Sequence, residues 1–350
     1  MNGPAGTSCA EVMVVLGSAS AASLSHAVDT EGVDPAACAL SSMTVMRLNM
    51  RRSVVYASMS IYSCRLPGAL LTSGLMLVCC MAVRAQTPAG GREGLADLPG
   101  VHLWFNDSGG SGEPVVFVHA ATGSSKVWEY QRPVFASRGY RVITYDRRGY
   151  GRSVTDSSGP QPGTGVDDLN ALMDYLKIER FHLVGTAAGG FVAWDYALSF
   201  PKRLRSLVVA NSIGGVQDED YLALGRRIRP PEFSALPADV RELSPSYRAE
   251  NADGTRRWME LERSSRAGGT PPPAQTMRNQ VTFARLQTIR TPTLLLTGGA
   301  DLYAPPPVMQ LFVKRISGSE SLVVPEAGHS TYWEQPEVFN RAVLAFIRKH

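Results

Sequence analysis

No cysteine follows Cys80 in this chain of 350 residues, so the later three quarters must fold without disulfides. All five cysteines, Cys9, Cys38, Cys64, Cys79 and Cys80, lie before residue 81. Charge is also sparse, at 19% of residues with a net of +4. Arg and Lys are scattered, and pairs such as Arg226-Arg227 and Arg256-Arg257 read as solvated helix faces. With no zinc, RNA-recognition or basic-helix pattern, nucleic acid is not expected as a partner. His, Cys and carboxylates do not cluster at ligand spacing, so no metal is expected. No phosphate-cradling loop stands out either, and no cofactor is expected. The most apolar stretch, 66–83, is interrupted by Pro67, Gly68, Thr72, Ser73 and Gly74, too short and broken for a spanning helix. There is no internal repeat.

What that stretch does fit is a secretory signal peptide. Arg65 precedes an apolar core, and Val83-Arg84-Ala85 supplies small residues for cleavage after Ala85. The mature chain then begins at Gln86 and is free of cysteine, as suits an oxidising compartment. Residues 59–85 are therefore expected to be the signal peptide, and the location periplasmic or secreted. Residues 1–58 are expected to be a mis-assigned or disordered leader. Over 1–45 the chain is acidic, rich in Ala and Ser, and shows no helical or strand periodicity.

From residue 100 onward, short apolar runs alternate with amphipathic segments, the pattern of βαβ units and a mainly parallel, doubly wound sheet. Strands are expected over 101–106, 114–120, 141–147, 181–186, 205–211, 293–297 and 320–324. Helices are expected over 127–137, 166–176, 189–200 and 336–349, the last with Val338, Phe339, Ala342, Val343, Phe346 and Ile347 on one stripe. Between 213 and 290 the alternation gives way to helical pieces at 220–229, 237–243, 255–265 and 277–288. These read as a helical cap inserted between core segments 86–212 and 291–350.

Gly185, Ala187 and Gly189 occupy the first, third and fifth places of a G-x-S-x-G strand-to-helix turn. The glycines that permit the turn are present, and the nucleophile's place holds alanine. Three further landmarks accompany it: His119-Ala120-Ala121-Thr122-Gly123-Ser124, the run from Asp146 to Ser153, and Gly328-His329 followed by Glu334-Gln335-Pro336. In this order and spacing the chain resembles the α/β-hydrolase family, in its branch of capped esterases, enol-lactonases and C–C bond hydrolases. The resemblance runs from about Val101 to the C-terminus.

The resemblance implies a site at the carboxyl ends of the strands. His329 falls where the family's general base sits, and Asp301, in Thr-Gly-Gly-Ala-Asp, where its acid partner sits. The backbone N–H groups of Ala121 and Ala188 fall where the oxyanion hole forms. Ala187 is the inert nucleophile position, and neither Thr186 nor Ser124 stands at the apex. Ser153 closes a structural turn, and His119 is structural in the family. Three readings follow. One is a hydrolase acting on a small apolar ester, lactone or ketone through His329, Asp301 and the hole, without a serine. Another is a small-ligand binding or sensing protein, with Phe233, Tyr247, Trp258 and Met259 available to line a pocket. The third is a serine hydrolase carrying an inactivating alanine. After signal cleavage no stable membrane insertion is expected.

Overall fold

The computed structural model describes residues 38–50, 53–64, 91–159, 161–266 and 274–350. They fall in two units, 1–83 and 84–350. In the first, β1 (Cys38–Met50) pairs antiparallel with β2 (Ser53–Cys64), in a register running from Cys38 opposite Cys64 to Met50 opposite Ser53. Residues 38–45, the end of the span without strand periodicity, lie within β1. Thr44-Val45, Val54-Val55-Tyr56 and Ile61-Tyr62 supply β-branched and aromatic residues of high strand propensity. The expected signal peptide overlaps β2 as far as Cys64. Its remainder, with the Ala85 cleavage point, lies outside the described residues.

The second unit carries β3 (Arg92–Leu98), β4 (Val101–Asp107), β5 (Pro114–Val118), β6 (Arg141–Tyr145), β7 (Val154–Thr155), β8 (Phe181–Thr186), β9 (Leu204–Ala210), β10 (Thr293–Gly298) and β11 (Glu320–Val324). Their order in one sheet is β11-β10-β9-β8-β5-β6-β4-β3, with β7 pairing β4. β5, β6 and β8 to β11 are mutually parallel, whereas β3, β4 and β7 join antiparallel at one edge.

Both faces of the parallel strands are covered, so their sequences are near-continuous apolar runs. Alternate residues serve alternate cores. Val116, Val118, Leu183, Leu207, Val209 and Leu295 enter one cluster, and Val115, Phe117, Val184, Val208, Leu294 and Leu296 enter the other. The first cluster is closed by helices Gly165–Tyr175, Ala188–Ser199 and Pro306–Val313. The second is closed by helices Arg132–Ser137 and Pro336–Ile347.

The expected helix over 127–137 is split. A 3₁₀ turn at Ser125–Trp128 precedes the helix Arg132–Ser137, whose first turn holds Pro133. Between β9 and β10 the described residues form no strand but hold helices Glu219–Ile228, Ala238–Glu242, Pro245–Glu250, Ala252–Arg263 and Phe283–Leu286. The helix expected over 277–288 shrinks to its last turn. Asp195 takes the backbone N–H of Arg278 and of Asn279, and Val281 O accepts from Gln217 N, so tertiary bonds replace helical ones there. Among the described residues no helix is long and apolar enough to cross a membrane.

Candidate active site

β8 reverses sharply into helix Ala188–Ser199 through Ala187, which sits at φ 49°, ψ −116°. A side chain at such angles is strained by about 1–3 kcal/mol, a cost that persists only where the surroundings enforce it. Here they do. Ala187 N–H donates to Ala210 O at 3.0 Å, Ser212 Oγ donates to Ala187 O at 2.7 Å, and Gly190 N–H donates to the same carbonyl at 3.0 Å. The helix lies so close to the sheet that a Cβ on Gly189 would come within 2.2 Å of Val118 O. On Gly185 it would come within 2.5 Å of Gly189 O. The two glycines are thus required by close approach, and Ala187 is presented at the strand end.

Asp301 and His329 arrive on the loops after β10 and β11, and the structure brings them together. His329 Nδ1 donates to Asp301 Oδ1 at 2.8 Å and lies 2.9 Å from Oδ2. Both residues are buried. The carboxylate also accepts from Tyr303 N, Ala304 N, Asn211 Nδ2 and Thr297 Oγ1 at 2.8, 2.9, 3.0 and 3.2 Å. Burial alone raises a carboxyl group, but His329 and these donors together hold Asp301 below the usual carboxylate range. Burial likewise works against a charged imidazole, yet Asp301 outweighs it and His329 is raised above the ordinary histidine value of 6.5. The tautomer that fits carries its proton on Nδ1 and leaves the Nε2 lone pair available.

Several contributors lay outside the sequence reading. Asn211 Nδ2 donates both to Asp301 and to Gly328 O, the latter at 3.1 Å. Residues 210–212 therefore tie the Ala187 turn to the His–Asp pair. The Tyr303 ring packs on His329 with centroids 4.3 Å apart, and Arg241 Nη1 donates to its hydroxyl at 3.1 Å. Ser330 N–H donates to Glu242 O at 3.1 Å, and the Glu242 carboxyl is buried and pushed up by that burial. Glu334 accepts from Gly328 N at 2.9 Å and from Ser244 N at 2.9 Å, clamping the histidine loop to the helical insertion. Except for Gly328–Glu334, which lies within one motif, these contacts join residues 26 to 117 positions apart and so leave no local sequence signature.

Ala121 and Ala188 line one cavity of about 270 Å³, with Arg147, Tyr150, Phe191 and Val192. Ala187, Asp301 and His329 are not among its lining residues, so the structure brings the five expected site residues together as two pairs and a turn. The flanking motifs are structural. His119 takes Arg147 N–H on Nε2 at 2.9 Å and bonds Ala120 O through Nδ1 at 2.7 Å, and burial drives its pKa well down. Asp146 accepts from Ser125 N at 2.7 Å and Arg152 N at 2.9 Å, while Ser153 Oγ donates to Asp146 O at 2.6 Å. Of the aromatic and Met residues considered for a pocket, Trp258 is core, Tyr247 and Met259 pack against that core, and Phe233 meets Tyr303 edge-on. None lines the cavity. No group of potential metal ligands occurs among the described residues.

The profile of the alpha/beta hydrolase family matches residues 115–342. The chain is 30% identical over 245 residues to a putative carbamate hydrolase of Caulobacter sp. (strain K31), covering 67% of this chain and 90% of that one. It is 28% identical over 280 residues to a 2-hydroxy-6-oxononadienedioate/2-hydroxy-6-oxononatrienedioate hydrolase of Burkholderia vietnamiensis, covering 71% and 92%. Among solved structures, an esterase from Thermogutta terrifontis superposes with a TM-score of 0.63 at 27% identity, covering 73% and 98%.

Proposed function

Because the chain belongs to the alpha/beta hydrolase family, we propose that it hydrolyses a small, largely apolar ester, lactone or ketone by direct attack of water. In this reading His329 Nε2 takes a proton from a water molecule in the space a serine oxygen would fill beside Ala187. The hydroxide adds to the substrate carbonyl, and the N–H groups of Ala121 and Ala188 stabilise the resulting oxyanion. Collapse of the tetrahedral intermediate expels the leaving group, which recovers the proton from the imidazolium. Asp301 holds the ring and stabilises its charge throughout. No acyl-enzyme forms.

The observation that carries this reading is the buried Nδ1–Asp301 pair, 2.8 Å long and enforced by four further donors to the carboxylate. A pocket that only binds needs no such pair. General-base help is worth on the order of 10²–10⁴ in rate. The test is turnover of p-nitrophenyl butyrate by the wild type and by His329→Ala. The expected loss in the variant is that same factor. Equal turnover in the two contradicts the assignment, and no turnover in either moves the protein to ligand binding, the reading favoured by the inert Ala187 side chain.

The periplasmic or secreted location is likewise proposed, on the basic start, apolar core and small-residue site that end at Ala85.

A further inference from the structure

Tyr303 follows Asp301 on the loop after β10, and its ring packs on the imidazole of His329. The centroids are 4.3 Å apart and the planes differ by 33°, too close and too nearly parallel for an edge-on contact. His329 therefore meets the face of the phenol ring, where the π quadrupole is negative. The bond from Nδ1 to Asp301 fixes one edge of the imidazole, and Tyr303 bears on its flat side.

Tyr303 is itself held from several directions. Its N–H donates to Asp301 Oδ1 at 2.8 Å, and its carbonyl accepts from Arg229 Nη1 at 2.5 Å. Its hydroxyl accepts from Arg241 Nη1 at 3.1 Å, and Phe233 crosses its ring at 90° with centroids 4.9 Å apart. Arg229 ends helix Glu219–Ile228, Arg241 belongs to helix Ala238–Glu242, and Phe233 to the 3₁₀ turn Pro231–Ala235. The helical insertion thus sets the place of this ring over the histidine. Burial pushes the phenol up to about 12, so Tyr303 carries no charge of its own while His329 titrates.

The charges around His329 pull in opposite directions. Burial works against the imidazolium; Asp301 and Glu242 favour it, and Arg229 opposes it. Arg241 adds a further positive charge at the Tyr303 hydroxyl. An aromatic face attracts a cation within about 6 Å of its centroid, and does so more strongly where water is excluded. We propose that Tyr303 is a positioning residue of the reaction, its ring holding the plane of His329 and stabilising the imidazolium that forms when Nε2 takes a proton. The consequence for turnover rests on the proposed general-base role of His329, whereas the effect on protonation does not.

The experiment is an NMR titration of the His329 Cε1–H, identified by its loss in His329→Ala, with kcat and KM for p-nitrophenyl butyrate measured alongside. Tyr303→Leu removes the aromatic face and is expected to lower the His329 midpoint by about half to one pH unit. Above that midpoint kcat falls by a corresponding factor of roughly three to ten while KM is unchanged. Tyr303→Phe keeps the face and the wild-type midpoint. Loss of mere packing acts with the opposite sign, since water reaching the imidazolium moves the midpoint up. An unchanged or raised midpoint in Tyr303→Leu, or an equal fall in Tyr303→Phe, overturns the proposal. If Tyr303→Leu does not fold, pentafluorophenylalanine at position 303 decides, because it keeps the shape of phenylalanine and reverses the ring quadrupole. A midpoint there equal to that of Tyr303→Phe is also contrary. A midpoint that falls as expected in a protein without turnover supports the hold of Tyr303 on His329 and contradicts only the hydrolase reading, so the two read out separately.

Discussion

Ala187 concentrates the question that this enzyme poses. Its backbone adopts the strained angles that a turn carrying a nucleophile needs, φ 49° and ψ −116°, yet its side chain has no reacting atom. Two substitutions separate conformation from chemistry. Ala187→Gly relieves the strain and is expected to raise stability by about 1 kcal/mol in urea unfolding, after the loss of chain entropy that glycine brings. Ala187→Ser places a hydroxyl at the apex. Because serine nucleophiles contribute on the order of 10⁶ to turnover where the triad is complete, that variant is expected to gain esterase activity by roughly 10²-fold or more and to become labelled by a fluorophosphonate probe. The wild type stays unlabelled. A folded but inert Ala187→Ser variant contradicts the placement of His329 and Asp301.

At the scale of elements, the helical insertion and the histidine loop are joined through Glu334, whose side chain collects the backbone N–H groups of Gly328 and Ser244. Glu334→Ala leaves these buried donors without an acceptor. It is expected to cost roughly 2–3 kcal/mol in thermal unfolding and to lower kcat more than it raises KM, because it frees the loop that carries His329. An unchanged kcat would show that the loop is held by other contacts. Much of this scaffold was legible in the residues. Apolar runs located β5, β6 and β8 to β11, the two glycines located the turn, and motif order located Asp301 and His329. The edge strand β3 escaped because only Ala96 in it is buried, leaving Glu93, Leu95 and Asp97 with no periodic signal. The helix Pro245–Glu250 escaped for the same reason, since it buries no residue of its own. Glu242, Asn211 and Tyr303 could not be read because each meets the histidine loop through residues remote in sequence, Ser330 for Glu242, Gly328 for Asn211 and His329 for Tyr303, which no local pattern encodes.

Over the whole molecule, the electrostatics of the buried pair set a pH dependence. A base must be neutral to accept a proton, and Asp301 raises His329 above 6.5. As pH falls through that raised value the imidazole protonates and the base is lost. The kcat/KM profile is therefore expected to fall on its acid side with a midpoint above 6.5, and the Asp301→Asn variant to shift that midpoint downward. A midpoint below 6.5 in the wild type contradicts the pairing. The proposed secretory route is checked by N-terminal sequencing of the exported protein, which is expected to begin at Gln86; a chain retaining residues 59–85 contradicts cleavage after Ala85.

The central claim, hydrolysis without a covalent intermediate, is tested most directly by intact-mass measurement of the enzyme quenched in acid during steady turnover of p-nitrophenyl butyrate. The account predicts a single, unmodified mass at every time point while nitrophenol accumulates. A butyryl adduct that forms and decays at the rate of turnover would contradict it, and would require a nucleophile elsewhere than Ala187.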